Sequence, residues 1–207
     1  MPNLLVHPKR ALEIRIRNFF FKMPKKINCL VVSPGGCGTV NLNKHLNNYT
    51  KSNLYLEKKY KKFGLGHLFK PPKSFYDNKI KVIIIKRNLN DIYKSIKNRG
   101  YIKNSLYTYG DLFPFIYVNI FKNDQKLKKK FINYIGKFYN NWKKYPSNLK
   151  LELNYKKIYS NKKDQRKIEK FLNIKKKKFL TTFPKFKRYK YNRDFIDPST
   201  KLARRFY

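Results

Sequence analysis

The sequence predicts an α/β fold with a central, mainly parallel sheet flanked by helices. Residues 27–33 and 80–86 are short, apolar and rich in β-branched side chains, as buried strands are. Each run is followed by a turn signal and then by apolar residues at helical spacing. Strands that alternate with helices indicate a parallel sheet, because parallel neighbours have to be joined by a crossover connection.

The first strand is predicted to lead through a glycine-rich turn into a helix. The turn has the sequence Ser33-Pro34-Gly35-Gly36-Cys37-Gly38-Thr39. A helix is expected from near Thr39, since Leu42 and Leu46 fall on one face of it. Residues 51–63 then show weak helical spacing, and residues 64–72 are predicted to be loop.

The second strand, residues 80–86, is apolar on both faces and is therefore placed in the middle of the sheet. Asn88 is a favourable N-cap for the helix that follows, and Asp91 three residues later completes a pair that resembles a capping box. Ile92 and Ile96 provide the buried stripe of that helix.

The clearest helix comes after an aromatic region in which residues 112–121 are predicted as a short helix. Its stripe consists of apolar residues that recur every three or four positions: Leu127, Phe131, Ile135, Phe138, Trp142 and Tyr145. The helix is expected to end before Pro146. Alternating leucines at 149–153 predict a third strand, and apolar residues at 168–172 predict a helix after a polar loop at 160–164.

Length and composition favour one folded domain. The 207 residues are predicted to form a basic leader at 1–26 and a single domain at 27–207, whose segment 175–207 is basic and lacks clear periodicity. Hydrophobic residues make up 41% of the chain and aromatic residues 17%, which excludes disorder throughout.

The formal net charge is +40, from 51 Lys and Arg against 11 Asp and Glu. A nucleotide-sized anion needs only about four or five basic side chains, so it does not account for this excess. Lys, Asn, Ile, Tyr and Phe all have AT-rich codons, and genomic composition is one explanation. A polyanionic partner such as an acidic glycan, nucleic acid or an anionic membrane surface is the alternative.

Cys29 and Cys37 lie on a predicted strand and in the loop after it, where neither a disulfide framework nor a metal site is expected. No metal is therefore predicted, and a reducing compartment fits best. No apolar run is long enough for a signal peptide or a membrane span, so a cytoplasmic protein is expected. Attachment of the basic N-terminal segment to a membrane surface is a second possibility.

Two segments carry residues suited to binding an anion. The glycines of loop 33–39 allow backbone N–H groups to approach a phosphate, although the loop lacks the lysine of a Walker motif and also fits a plain connecting turn. Arg87 ends the second strand, and Ser95 lies two helical turns later. A guanidinium, a hydroxyl and a helix N-terminus together can hold one phosphate.

These segments resemble the sulfotransferase family, which uses 3′-phosphoadenosine 5′-phosphosulfate (PAPS) as donor. Cys37-Gly38-Thr39 is similar to the Ser-Gly-Thr core of the family's first loop. The run from Arg87 to Ser95 matches its Arg-Asn-x-x-Asp-x-x-x-Ser motif at every defining position. Residues 151–174 resemble its Tyr-Glu-x-Leu and Phe-Leu-Gly-Ile stretch, so the resemblance spans about residues 27 to 174.

The resemblance implies a three-layer P-loop-like fold and transfer of a sulfuryl group to an acceptor hydroxyl, in the first place that of a carbohydrate. Arg87 and Ser95 would hold the 3′-phosphate of PAPS. The loop residues that would hold the 5′-phosphosulfate are Gly35, Gly36, Cys37, Gly38, Thr39 and Val40. His67 lies 20 residues before Arg87, where the family has its catalytic base, and a histidine that only bonds locally is the alternative.

The chain departs from the family at Gly36, where a Lys or Arg normally stabilises the transferring group. Losing that cation would remove about 2–4 kcal/mol of transition-state stabilisation unless another residue replaces it. The candidate replacements are Lys44, Lys70 and Lys73. The family's C-terminal basic element is not recognisable, although Lys185, Lys187, Arg188 and Arg193 have the right charge.

Two further features leave their role open. The tyrosines and phenylalanines at 101–117 fit an acceptor pocket or a packed core, and Arg99 fits either a phosphate contact or a surface position. The alternative function for the whole chain is a basic protein with impaired catalysis that binds nucleic acid or another polyanion.

Overall fold

A computed structural model of the protein describes residues 22–24, 27–60, 65–98, 102, 105–106, 124–176 and 178–185. Its sheet consists of three parallel strands, β1 (Cys29–Val32), β2 (Lys81–Lys86) and β3 (Lys150–Asn154), in the order β1-β2-β3. The α/β class and the central position of the second predicted strand are confirmed. In this small sheet the carboxyl ends of all three strands lie at one edge.

Helices and two short 3₁₀ turns connect and flank the strands. The 3₁₀ turns are Leu65–His67 and Ser147–Leu149. In the part of the chain that the structure describes, the α-helices are α1 (Thr39–Asn47), α2 (Asn53–Tyr60), α3 (Lys73–Asp77), α4 (Leu89–Lys97), α5 (Asp124–Lys143), α6 (Tyr155–Ser160), α7 (Lys162–Leu172) and α8 (Lys178–Thr181).

Strands β1 and β2 bury side chains on both faces, and each face has its own hydrophobic cluster. Val31 and Ile83 belong to the cluster that includes residues of α1, α4, α7 and α8. Leu30 and Val82 belong to the cluster that includes residues of α2 and α3. Helix α5 contributes to both clusters. Burial on both faces explains why β1 and β2 are continuous apolar runs, with no alternation of polar residues.

Helices α1, α4 and α5 form as the sequence predicts, and α1 begins at Thr39 with Leu42 and Leu46 buried. All six apolar residues of the predicted long helix are buried, and α5 ends at Lys143, three residues before Pro146. The side chain of Asn88 accepts hydrogen bonds from the backbone N–H groups of Asn90 and Asp91, so it is the N-cap of α4. The predicted helix at 112–121 lies outside the described residues.

Three short helices were not predicted, namely α3, α6 and α8. Helix α7 also begins within the expected polar loop at 160–164, because Asn161 caps it and accepts a hydrogen bond from the N–H of Lys163. Met23 lies within the predicted leader and is buried in the core.

Candidate functional site

The candidate site lies at the edge where the three strands end. Loop 33–39 follows β1, Arg87 follows β2, and Tyr155 follows β3 at the start of α6. This is the edge at which ligands bind in open parallel sheets. The sequence motifs are therefore brought together by strand direction, although 52 residues separate Gly35 from Arg87 in the chain.

The backbone of loop 33–39 favours glycine at three positions. Gly35, Gly36 and Gly38 have φ angles of 88°, 64° and 64°, which lie in the left-handed region that other residues adopt at a cost. The hydroxyl of Ser33 accepts a hydrogen bond from the N–H of Gly35 at 3.1 Å. These φ angles explain why glycine suits all three positions of the loop.

The loop ends at the N-terminus of α1, where an anion would be favoured. Gly38 is the N-cap and has no side chain that could accept hydrogen bonds from the first turn. The first N–H groups of a helix have no acceptor within the helix, and the positive end of its dipole lies here. Cys37 is buried in this loop, and its thiol donates to the carbonyl oxygen of Gly35 at 3.1 Å.

Arg87 contacts the loop directly. Its Nη1 donates to the carbonyl oxygen of Gly36 at 2.5 Å, and its Cζ lies 4.9 Å from the centre of the Tyr155 ring. Its Nε is 4.0 Å from Oδ2 of Asp91 and is buried without a hydrogen-bond acceptor. The guanidinium is thus held between the loop and the Asp91 carboxylate, and its planar fork of donors suits an anion.

Helix α6, which follows β3, contacts the same loop through two tyrosines. The hydroxyl of Tyr159 donates to the carbonyl oxygen of Gly38 at 2.7 Å. A Cβ atom on Gly38 would lie 2.5 Å from Cε2 of Tyr155, so the ring excludes any side chain there. Sequence reasoning assigned no role to these two tyrosines. The only available signal was an aromatic residue directly after a parallel strand.

Ser95 is buried in α4 at 7% exposure. Its neighbour Ile96 approaches the loop, since a Cβ atom on Gly35 would lie 3.5 Å from Cδ1 of Ile96. Asp91 and Ser95 are four residues apart and so share one face of α4. The structure therefore places Ser95 on the helix that borders both Arg87 and the loop.

His67 lies on the other side of the loop, in the 3₁₀ turn Leu65–His67. Its Nδ1 is 2.8 Å from the carbonyl oxygen of Ser33. A carbonyl oxygen can only accept, so Nδ1 carries the proton in the neutral ring and Nε2 has the lone pair. Nε2 is thus the atom with which His67 would accept a proton.

The position of His67 is fixed along the outer edge of β1. The side-chain amide of Asn53 accepts from the N–H of Val31 at 2.8 Å and donates to its carbonyl oxygen at 3.0 Å. The carbonyl oxygen of Gly66 accepts from the N–H of Ser33 at 2.9 Å. A Cβ atom on Gly66 would lie 2.8 Å from both Asn53 and the Val31 carbonyl oxygen, so glycine is required for this close approach.

The lysines proposed as replacements for the missing cation are not placed at the loop by any described contact. Lys44 is in the last turn of α1, at the opposite end of that helix from loop 33–39. Lys70, Lys73 and Lys185 are exposed. Arg99, the tyrosines and phenylalanines of 101–117 and the basic residues 187, 188 and 193 lie outside the described residues.

Two surface concavities are found in the part of the chain that the structure describes. One of about 430 Å³ lies beside α6 and α7 and is lined by residues that include Lys157 and Lys163. The other, of about 590 Å³, lies at the opposite edge of the sheet beside Lys51 and Tyr55. Neither is lined by the loop, Arg87 or His67, so the candidate site rests on its hydrogen bonds and backbone conformation.

Both cysteines are buried free thiols, and burial raises the pKa of Cys29 to about 12. Within the described ranges, no cluster of three His, Cys, Asp or Glu residues could hold a metal ion. The same part of the chain contains no helix long and apolar enough to cross a membrane. Comparisons of the chain with family models, with curated proteins and with solved structures give no match.

Proposed function

We propose that the protein is a PAPS-dependent sulfotransferase with a three-layer P-loop-like fold. The observation that carries the proposal is the contact between the two motifs that resemble this family. The guanidinium of Arg87 is hydrogen bonded to loop 33–39 through Gly36, and that loop has the positive φ angles and the helix N-terminus that suit a phosphate.

In this proposal the nucleotide binds along the carboxyl edge of the sheet. Loop 33–39 and the start of α1 bind the 5′-phosphosulfate through backbone N–H groups. Arg87 and Ser95 bind the 3′-phosphate, for which the donors of the guanidinium fork and the serine hydroxyl are suited. The acceptor substrate is a hydroxyl compound, in the first place a carbohydrate, as the family resemblance implies.

The reaction is an in-line displacement at sulfur. Nε2 of His67 takes the proton of the acceptor hydroxyl while its oxygen forms a bond to sulfur. The bond between sulfur and the bridging oxygen of the 5′-phosphate breaks, and its electron pair leaves with 3′-phosphoadenosine 5′-phosphate (PAP). The hydrogen bond from Nδ1 to Ser33 supports this role, because it orients the ring and fixes the tautomer. Positioning and electrostatic stabilisation carry most of the rate.

Calorimetry with PAP tests the binding half of the proposal. The wild-type protein is expected to bind PAP, and Arg87→Ala is expected to abolish detectable binding, because it removes a charge-assisted contact and leaves a phosphate without its partner. Lys94→Ala, an exposed residue of the same helix, is the matched control and should bind as the wild type does. Absence of PAP binding by the folded wild-type protein would refute the proposed function.

A sulfate-transfer assay over a panel of hydroxyl acceptors tests the chemistry. His67→Asn is suitable because its amide can still donate to Ser33, whereas it cannot act as a base near neutral pH. We expect kcat to fall by about 10²- to 10⁴-fold while the affinity for PAP is kept. Full activity in His67→Asn would show that His67 is not the base.

The net charge of +40 favours one competing function, binding of nucleic acid or another polyanion without turnover. That function predicts binding to DNA or heparin that weakens steeply with salt and is unaffected by PAP. If such binding occurs and PAP does not bind, the second function replaces the first.

A further inference from the structure

We propose that Arg87 supplies loop 33–39 with the positive charge that Gly36 lacks, and that the ring of Tyr155 positions its guanidinium for this role. The inference rests on the proposed function and deepens it. Arg87 then contacts the 5′-phosphosulfate as well as the 3′-phosphate, and the family's loop cation is delivered in this chain from the end of β2.

The first step is the position of the charge. Nη1 of Arg87 bonds to the carbonyl oxygen of Gly36, the residue at which the cation is missing from the sequence. The guanidinium therefore lies beside the backbone that is proposed to hold the 5′-phosphosulfate. A cation at this place acts on the transferring group without being part of the loop.

The second step is the orientation of the planar fork. Nη1 faces the loop, whereas Nε lies toward Asp91, which shares one face of α4 with Ser95. The two ends of one guanidinium thus face the two halves of the site. Since a guanidinium has five N–H donors, the group has donor capacity beyond its bond to Gly36.

The third step is the contact of the Arg87 guanidinium with the ring of Tyr155. The Tyr155 ring lies 4.9 Å from Cζ of Arg87, within the range of about 6 Å for a cation–π interaction. The same ring lies against Gly38, as the 2.5 Å approach to a Cβ atom there shows. The ring therefore stands against both the loop and the arginine, and Tyr155 is a positioning residue.

Calorimetry with two nucleotides tests the shared role of Arg87. Adenosine 5′-phosphosulfate carries the 5′-phosphosulfate but no 3′-phosphate, whereas PAP carries the 3′-phosphate and a 5′-phosphate without the sulfuryl group. Arg87→Ala is expected to lower the affinity for both nucleotides. The affinity for adenosine 5′-phosphosulfate should fall by about tenfold or more. Ser95→Ala should lower the affinity for PAP and leave the affinity for adenosine 5′-phosphosulfate unchanged, because Ser95 is assigned only to the 3′-phosphate.

Two results would overturn the inference while leaving the proposed function in place. One is an unchanged affinity of Arg87→Ala for adenosine 5′-phosphosulfate, since Arg87 would then serve the 3′-phosphate only. The other is a wild-type protein that binds PAP but not adenosine 5′-phosphosulfate, since the loop would then hold no anion by itself. Failure of the wild-type protein to bind PAP refutes the proposed function instead.

A charge relocation provides a second test. Gly36→Lys in the Arg87→Ala background returns a cation to the loop and should restore the affinity for adenosine 5′-phosphosulfate to within about threefold of the wild type. Gly36→Gln in the same background is the control, because its side chain has a similar length and imposes the same backbone strain at φ 64° but has no charge. It should not restore the affinity for adenosine 5′-phosphosulfate. Equal affinities of these two variants would count against the inference.

The role of Tyr155 is tested by Tyr155→Phe and Tyr155→Leu. The phenylalanine keeps the aromatic face and should keep the affinity for adenosine 5′-phosphosulfate, whereas the leucine should lower it by about threefold to tenfold, because the cation–π contact is lost. Circular dichroism checks that both variants are folded. An equal loss in both would show that the hydroxyl group, and not the ring, is what matters.

Discussion

His45 shows how a single buried side chain can make stability depend on pH. It is 5% exposed and lies among the rings of Tyr49, Phe179 and Phe183, with ring-centre distances of 5.1, 4.8 and 4.7 Å. Its Nε2 is buried without a hydrogen-bond partner. Burial lowers its pKa from the usual 6.5, and a hydrogen bond with the backbone of Phe179 offsets part of this effect.

We predict that the free energy of unfolding falls as pH drops below about 6.5. In this range the unfolded state binds a proton at His45 that the folded state does not yet accept, so acid favours unfolding. His45→Phe should weaken this pH dependence, because the replacement has no titratable group and suits the aromatic surroundings. Urea denaturation of both proteins at pH 5 and pH 7.5 provides the measurement. Identical pH profiles would show that His45 does not titrate on unfolding.

At the scale of elements, the 3₁₀ turn Leu65–His67 acts as a lateral neighbour of β1. The N–H groups of Cys29, Val31 and Ser33 donate outward to Lys51, Asn53 and Gly66, respectively. Together with Lys51 and Asn53, the turn therefore occupies the edge at which a fourth strand would pair, and the last residue of the turn is the proposed base. Stability and the position of the imidazole depend on the same bonds.

Gly66→Ala is predicted to separate the turn from β1. The added Cβ would lie 2.8 Å from two atoms, one of them backbone, so the turn has to move. We expect a loss of about 1–3 kcal/mol in the free energy of unfolding and a lower kcat with little change in PAP affinity. Gly136→Ala is the control, because a Cβ there meets nothing within 4 Å. Similar effects of both substitutions would contradict the proposed fit.

The sequence predicts long elements well and short ones poorly, for a physical reason. Helix α5 repeats its apolar period over 20 residues, whereas α3, α6 and α8 have five, six and four residues. So few residues cannot display a periodic stripe, and tertiary contacts stabilise them. At the candidate site, the glycines of loop 33–39 and Arg87 could be predicted because each belongs to a short motif of neighbouring residues. The bond from Tyr159 to Gly38 joins residues 121 positions apart and has no local signal.

At the scale of the whole molecule, repulsion among the basic side chains opposes the stabilisation that the hydrophobic core provides. Two apolar clusters pack on either face of the sheet, while a net charge of +40 is spread over 207 residues. Since acidic residues number only 11, most of the 51 basic side chains have no carboxylate to pair with. Mutual repulsion of these cations opposes the compact state.

We therefore predict that sodium chloride stabilises the protein. Raising the ionic strength from about 0.01 M to about 0.15 M shortens the Debye length from about 30 Å to about 8 Å and weakens the repulsion. The Tm measured by calorimetry should rise over this range, and PAP affinity should fall far less steeply than affinity for heparin. A Tm that is constant or falls would show that repulsion does not limit stability.

The bonding of the outer edge of β1 also bears on aggregation. A bare strand with the sequence Cys29-Leu30-Val31-Val32 would be a strong template for pairing with a second chain. The Asn53 amide and the backbone at Lys51 and Gly66 occupy the donors that such a chain would need. Asn53→Ala should therefore expose this edge and promote intermolecular β-sheet formation. The residues that hold the proposed base in place thus also occupy the edge at which β1 could pair with a second chain.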